Sequence, residues 1–230
     1  MNTVGIIGGI GPESTVEYYR QIISSYRIDD SEGNYPRIII NSINMKKMLD
    51  LIANGDFDEV ATFLVLEIGK LADAGADFGV MASNTPHIVF EKVRQASSLP
   101  LISIVEATCD KTRETGLRRV GLIGTKFTMQ GGFYDEVLSK YGIEVILPGE
   151  IDQDYIHRKY MGELVKGIIQ TETRKRLLGI INKMKQSHDM QGLILGGTEL
   201  PPILGKNDVS DIHLLDSTQI HVERIVAQLK

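Results

Sequence analysis

The feature that most constrains this chain is that it repeats itself. Thr3-Val4-Gly5-Ile6-Ile7-Gly8-Gly9 returns as Arg119-Val120-Gly121-Leu122-Ile123-Gly124-Thr125, a spacing of 116 from Val4 to Val120. Phe78-Gly79-Val80-Met81-Ala82-Ser83-Asn84-Thr85 is answered by Gly192-Leu193-Ile194-Leu195-Gly196-Gly197-Thr198-Glu199, a spacing of 114 from Ser83 to Gly197. Each copy is an apolar run that stops at a turn of small residues, the pattern of a strand buried on both faces in a parallel sheet. Two matches at nearly one spacing imply an internal duplication. Phe133-Tyr134 adds a weaker echo of Tyr18-Tyr19.

Helices fill the intervals. After Val4 to Ile7, Pro12 and Glu13 suit a first helical turn, and Val16, Tyr19, Ile22, Ile23 and Tyr26 recur at helical spacing. Arg37 to Ile43 reads as a strand, Phe57 to Ala76 as a long amphipathic helix, Asp77 to Ala82 as a third strand, and Glu106 to Thr115 as helical. This alternation predicts an α/β fold of two pseudo-symmetric lobes, each a mainly parallel sheet flanked by helices. The expected division is residues 1–103 with a C-terminal helix 217–230, against 104–216, joined near Pro100 to Glu106 and again at Ser217. Ligands of open α/β sheets bind beyond the carboxyl ends of strands, so the expected active site is a cleft between the lobes. Ser83-Asn84-Thr85 would line one side and Gly197-Thr198-Glu199 the other.

Composition narrows the function. With 42% apolar and 24% charged residues the chain is that of an ordinary folded domain. A net charge of -5 gives no basic face for a nucleic acid, which leaves a small molecule as the expected partner. No apolar run approaches the roughly 18 residues of a membrane span and no leader pattern opens the chain, so the expectation is a cytoplasmic protein without membrane contact. Cys109, the single cysteine, excludes an internal disulfide and a thiolate cluster, and reads as a small buried hydrophobe. The five histidines lack the spacing of a metal site, so no metal is expected.

Several residues could carry chemistry. Gly8-Gly9-Ile10-Gly11-Pro12-Glu13 lacks the third glycine of a dinucleotide loop, and Pro12 removes a donor, but its backbone N–H groups could hold a carboxylate. Ser83 has no Gly-x-Ser-x-Gly context and reads as a turn residue. His87, just after the turn, reads as a packing or capping group. Glu199 could act as a base or cap the next helix.

Four segments, Gly8 to Thr15, Met81 to His87, Gly124-Thr125 and Gly196-Gly197-Thr198-Glu199-Leu200, together resemble the aspartate/glutamate racemase family. They span nearly the whole chain in the family's order. The resemblance implies a cofactor-independent racemase, usually dimeric, acting on a dicarboxylic or related amino acid. In that family two cysteines exchange a proton at opposite faces of the substrate Cα; here those catalytic positions are Ser83 and Gly197. A serine hydroxyl needs an adjacent base to ionise and glycine offers no group at all, so the two-thiol mechanism is excluded. By the same resemblance Asn84, Thr85, Thr125, Thr198 and Glu199 would hold the α-carboxylate and α-amino group, with the backbone at Gly9 and Ile10 assisting. Lys166 would pair with the distal carboxylate, and Lys46 or Lys47 could add charge. The expected enzyme uses Ser83 with Glu199 or His87 for one proton, and water in the space left by Gly197 for the other. Two further readings stay open: a silent amino-acid or dicarboxylate binding protein, and a one-base lyase or isomerase.

Overall fold

In a computed structural model, which describes residues 1–29, 34–209 and 211–230, the chain divides into two compact units. Unit 1 is Met1–Ile104 with His221–Lys230, and unit 2 is Val105–Ile220. The division within the C-terminal helix falls four residues beyond the expected Ser217, because Val222, Ile225, Val226 and Leu229 pack into the core of unit 1.

Unit 1 runs β1 (Thr3–Gly8), α1 (Pro12–Asp29), β2 (Arg37–Ser42), α2 (Met45–Asn54), α3 (Phe57–Asp73), β3 (Phe78–Met81), a 3-10 helix (Thr85–Val89), α4 (Phe90–Ala96) and β4 (Leu101–Ile102). Its sheet is wholly parallel in the order β2-β1-β3-β4, with Ile6 of β1 in register with Ile40 on one side and Val80 on the other. Both central strands are completely buried, as their uninterrupted apolar character requires.

Unit 2 follows with α5 (Ile104–Glu114), β5 (Arg119–Gly124), α6 (Lys126–Gln130), α7 (Phe133–Leu138), β6 (Glu144–Ile146), α8 (Glu150–Gly162), α9 (Thr171–His188), β7 (Gly192–Gly196), β8 (His213–Asp216) and α10 (Ser217–Leu229), whose last turns belong to unit 1. The order β6-β5-β7-β8 reproduces that of unit 1, again all parallel, with Leu122 opposite Ile194. The matched sequence segments therefore form equivalent central strands. Of the two sequence echoes, Tyr18 and Tyr134 are both buried, each on a helix after the first strand of its unit. Tyr19, the other half of the sequence echo, is 47% exposed.

That exposure corrects the face expected for α1. The helix buries Ser14, Thr15, Tyr18, Ile22 and Tyr26, an i, i+4 ladder, whereas Val16 and Tyr19 face outward and Ile23 lies half-buried at the margin. Helix α2 has no counterpart among the elements expected from the sequence. Its signals are local: Asn44 caps the start by accepting from the Lys47 N–H at 3.2 Å, and Gly55 closes the end in the left-handed conformation. In unit 2, buried Asp152 of α8 accepts from Arg176 at 3.0 Å and Lys183 at 3.1 Å, tying α9 across it.

Candidate functional site

The turn after β3 places Ser83, half-buried, ahead of Asn84 and Thr85, both buried. Behind them lies His87, 3% exposed and fixed by two bonds. Its Nδ1 lies 3.1 Å from the Ser83 carbonyl, and its Nε2 lies 3.2 Å from the Ile104 backbone nitrogen. A carbonyl only accepts and an N–H only donates, so Nδ1 carries the proton and Nε2 the lone pair. Burial pushes this imidazole down to about 3. It is therefore neutral, with both nitrogens occupied, and it engages the Ser83 carbonyl rather than the hydroxyl. The expectation that His87 could share a proton with Ser83 is corrected: it is a framework group. His221 of α10 is its companion in unit 1, accepting from the Tyr18 hydroxyl at 2.8 Å and donating to the Ile102 carbonyl at 3.1 Å. Burial lowers it to about 4.

The turn after β1 is equally committed. Gly9 has φ +81°, and a Cβ there would lie 2.5 Å from the Ile43 carbonyl oxygen, so both conformation and space demand glycine. Its N–H donates to the Thr15 hydroxyl at 2.8 Å. That donor, expected to assist a ligand carboxylate, is spent inside the lobe. Ile10 is buried beside it. Lys46 pairs with Asp50 at 2.5 Å, and the Lys47 ammonium lies 4.6 Å from the centre of the Phe63 ring.

In unit 2, Thr125 stands where unit 1 has Gly9 and does a different job. Its hydroxyl caps α6, accepting from the Thr128 N–H at 3.1 Å. Lys166 lies at the end of a short 3-10 helix, Leu164–Lys166, and is exposed. Cys109 is buried on α5, and burial pushes its thiol up to about 11, as befits an inert core residue.

The turn after β7 holds the group the sequence did not reveal. Gly197 is buried, and a Cβ built on it would lie 1.9 Å from the hydroxyl oxygen of Tyr160 and 2.8 Å from that ring's Cζ. The space expected to be left open for water is filled by the phenol of α8. Tyr160 is 5% exposed and donates its hydroxyl proton to Glu199 Oε2, which also accepts from the Thr198 hydroxyl at 2.8 Å. Burial, and then the Glu199 charge, hold the phenol well above its ordinary range, so it is a neutral donor to a carboxylate. Glu199, which could have been a helix cap, is instead engaged by two hydroxyls. No periodicity or motif marks Tyr160: in sequence it is one more large residue on a helix.

The pattern that defines Asp/Glu/Hydantoin racemases matches residues 7–225. This chain belongs to that family. Broad specificity amino-acid racemase RacX of Bacillus subtilis (strain 168) is 32% identical to the racemase-family chain over 146 residues, which cover 62% of the chain and 63% of RacX. The match thus spans less than two thirds of that relative's length. Among solved structures, a candidate Asp/Glu racemase from Yersinia pestis is 33% identical, with a TM-score of 0.90 over 100% of this chain and 99% of that one. An aspartate racemase homologue from Pyrococcus horikoshii OT3 is also 33% identical, with a TM-score of 0.86 and the same coverage. Among the described residues of the racemase-family chain, no three His, Cys, Asp or Glu side chains gather where they could hold a metal ion, and no helix is long and apolar enough to cross a membrane.

Proposed function

We propose that the chain is a cofactor-independent isomerase that exchanges the Cα proton of aspartate, glutamate or a related amino acid, by chemistry that does not use thiols. The observation that carries this reading is the Glu199 carboxylate, set at the end of a central strand of a racemase fold and held by two hydroxyls. A carboxylate so placed supplies the base that the substituted positions Ser83 and Gly197 lack. Asn84, Thr85, Thr125 and Thr198 belong to the same proposal as ligand-holding residues, and Lys166 as the partner of a distal carboxylate. So do a homodimeric assembly and a cytoplasmic workplace; light scattering on an eluting peak tests the first.

The direct test is incubation with L- and D-amino acids in D2O, following the Cα–H signal by NMR. Loss of the signal above a protein-free blank is expected for at least one acidic amino acid. No loss across acidic and neutral amino acids would overturn the reading. One observation favours a silent binding protein instead: His87 is committed to the Ser83 carbonyl, so it gives that hydroxyl no base. That alternative requires ligand-dependent thermal stabilisation without exchange, since a ligand that binds only the folded state raises its stability by mass action.

A further inference from the structure

The side-chain space of Gly197 is occupied by the hydroxyl of Tyr160, which is bonded to the carboxylate of Glu199. A residue at 197 could carry an acid–base group only by displacing that phenol. We infer that Tyr160 is the proton-transfer group at the turn after β7, with Glu199 as the base behind it. This deepens the proton-exchange reading above and rests on it.

The step balances without a co-reactant. The substrate Cα–H bond breaks and its proton passes to the Tyr160 oxygen, while the phenol's own proton moves to Glu199 Oε2. The electron pair stays on the substrate, delocalised into its carboxylate. Glu199 begins as carboxylate and ends as carboxylic acid, and the reverse step restores both. A relay is required because Tyr160 by itself is a neutral phenol held from ionising by burial and by the adjacent negative charge. Moving both protons together avoids a buried phenolate beside a carboxylate. The Thr198 hydroxyl keeps Oε2 aimed at the phenol by binding the same oxygen.

The two turns then differ in kind: the one after β7 has an acid–base pair, and the one after β3 has a serine whose neighbouring imidazole is locked neutral. A single acid–base group returns the proton to the face from which it took it. One enantiomer should therefore exchange its Cα proton with retention much faster than it inverts.

The test is the wild-type protein, Tyr160→Phe and Glu199→Gln in the D2O experiment, with exchange and inversion followed separately. Tyr160→Phe keeps the buried ring and removes only the hydroxyl, and Glu199→Gln keeps the shape and removes the charge. Each is expected to lower the exchange rate at saturating substrate by 100-fold or more, with the half-saturating concentration within about threefold of wild type, because general acid–base groups contribute on the order of 10²–10⁴-fold. If Tyr160→Phe fails to fold, Glu199→Gln alone decides. Wild-type exchange with folded Tyr160→Phe within threefold of it would overturn the relay and leave the broader reading intact, whereas Glu199→Gln within threefold of wild type would overturn the relay and remove Glu199 as the base of the broader reading as well. Equal washout of both enantiomers, with inversion keeping pace, would overturn the single-group assignment. No wild-type exchange on any amino acid would overturn the broader reading, and the relay with it.

Discussion

The turns after β3 and β7 occupy equivalent places in two sheets of the same order, yet different chemistry backs them. After β3, Ser83 stands over a buried imidazole that spends one nitrogen on the Ser83 carbonyl and the other on the Ile104 N–H. After β7, Gly197 makes room for a phenol, and that phenol leans on a carboxylate. Duplication has kept the backbone and let the polar support diverge. A strand-end turn is held by main-chain pairing that any compatible sequence can make. The side chain behind it is chosen only by the cavity it must fill.

The contrast should show most strongly in acid. In the unfolded chain each histidine protonates near its ordinary value of about 6.5. In unit 1 His87 resists to about 3 and His221 to about 4. Between those values the unfolded chain binds more protons, so stability rises with pH there. The full contribution is present above about pH 6.5 and drains away as pH falls toward 4, at about 1.4 kcal/mol per pH unit for each imidazole. The half-buried His157 of unit 2 is lowered in the same direction, chiefly by burial, but its partial exposure makes its share smaller. Hydrogen exchange from pH 7 to pH 4, corrected for intrinsic rates, should show residues 78–104 losing protection before 192–216. Simultaneous loss would break the comparison.

A smaller effect separates Gly9 from Thr125. Gly9→Ala places a Cβ against the Ile43 carbonyl at positive φ and is expected to cost about 2–4 kcal/mol. Thr125→Ala removes a helix cap and should cost about 1 kcal/mol. Urea unfolding measures both, and equal losses would mean the two turns are strained alike.

Gly197→Ala sharpens the comparison further. It should cost about 1–3 kcal/mol by overpacking Tyr160. In a Tyr160→Ala background most of that penalty should vanish, a coupling that a double-mutant cycle reads directly. An unchanged penalty would mean that the phenol does not fill the position. The smallest effect belongs to Lys166→Ala, where exposure limits the change in stability to about 0.5 kcal/mol. If Lys166 holds a distal carboxylate, half-saturation by aspartate or glutamate should rise while that by alanine stays put.

Much of this protein was written in its sequence. The apolar runs at Val4, Phe78, Val120 and Gly192, each ended by small residues, determined four central strands, and their spacing determined the duplication, because a strand buried on both faces has few alternatives to an unbroken apolar run. The positions of Asn84, Thr198 and Glu199 in the turns that follow β3 and β7 were legible for the same reason. The buried face of α1 was not, because two overlapping apolar stripes satisfy helical periodicity and only the sheet beneath selects Tyr18 over Tyr19. Nor was Tyr160, 37 residues from Gly197 in the chain. A cavity's occupant is set by how a distant helix packs, and that packing is a property of three dimensions which spacing along one dimension does not encode. Sequence thus determined the frame, while tertiary structure alone decided that a phenol bonded to Glu199 fills the side-chain space of Gly197.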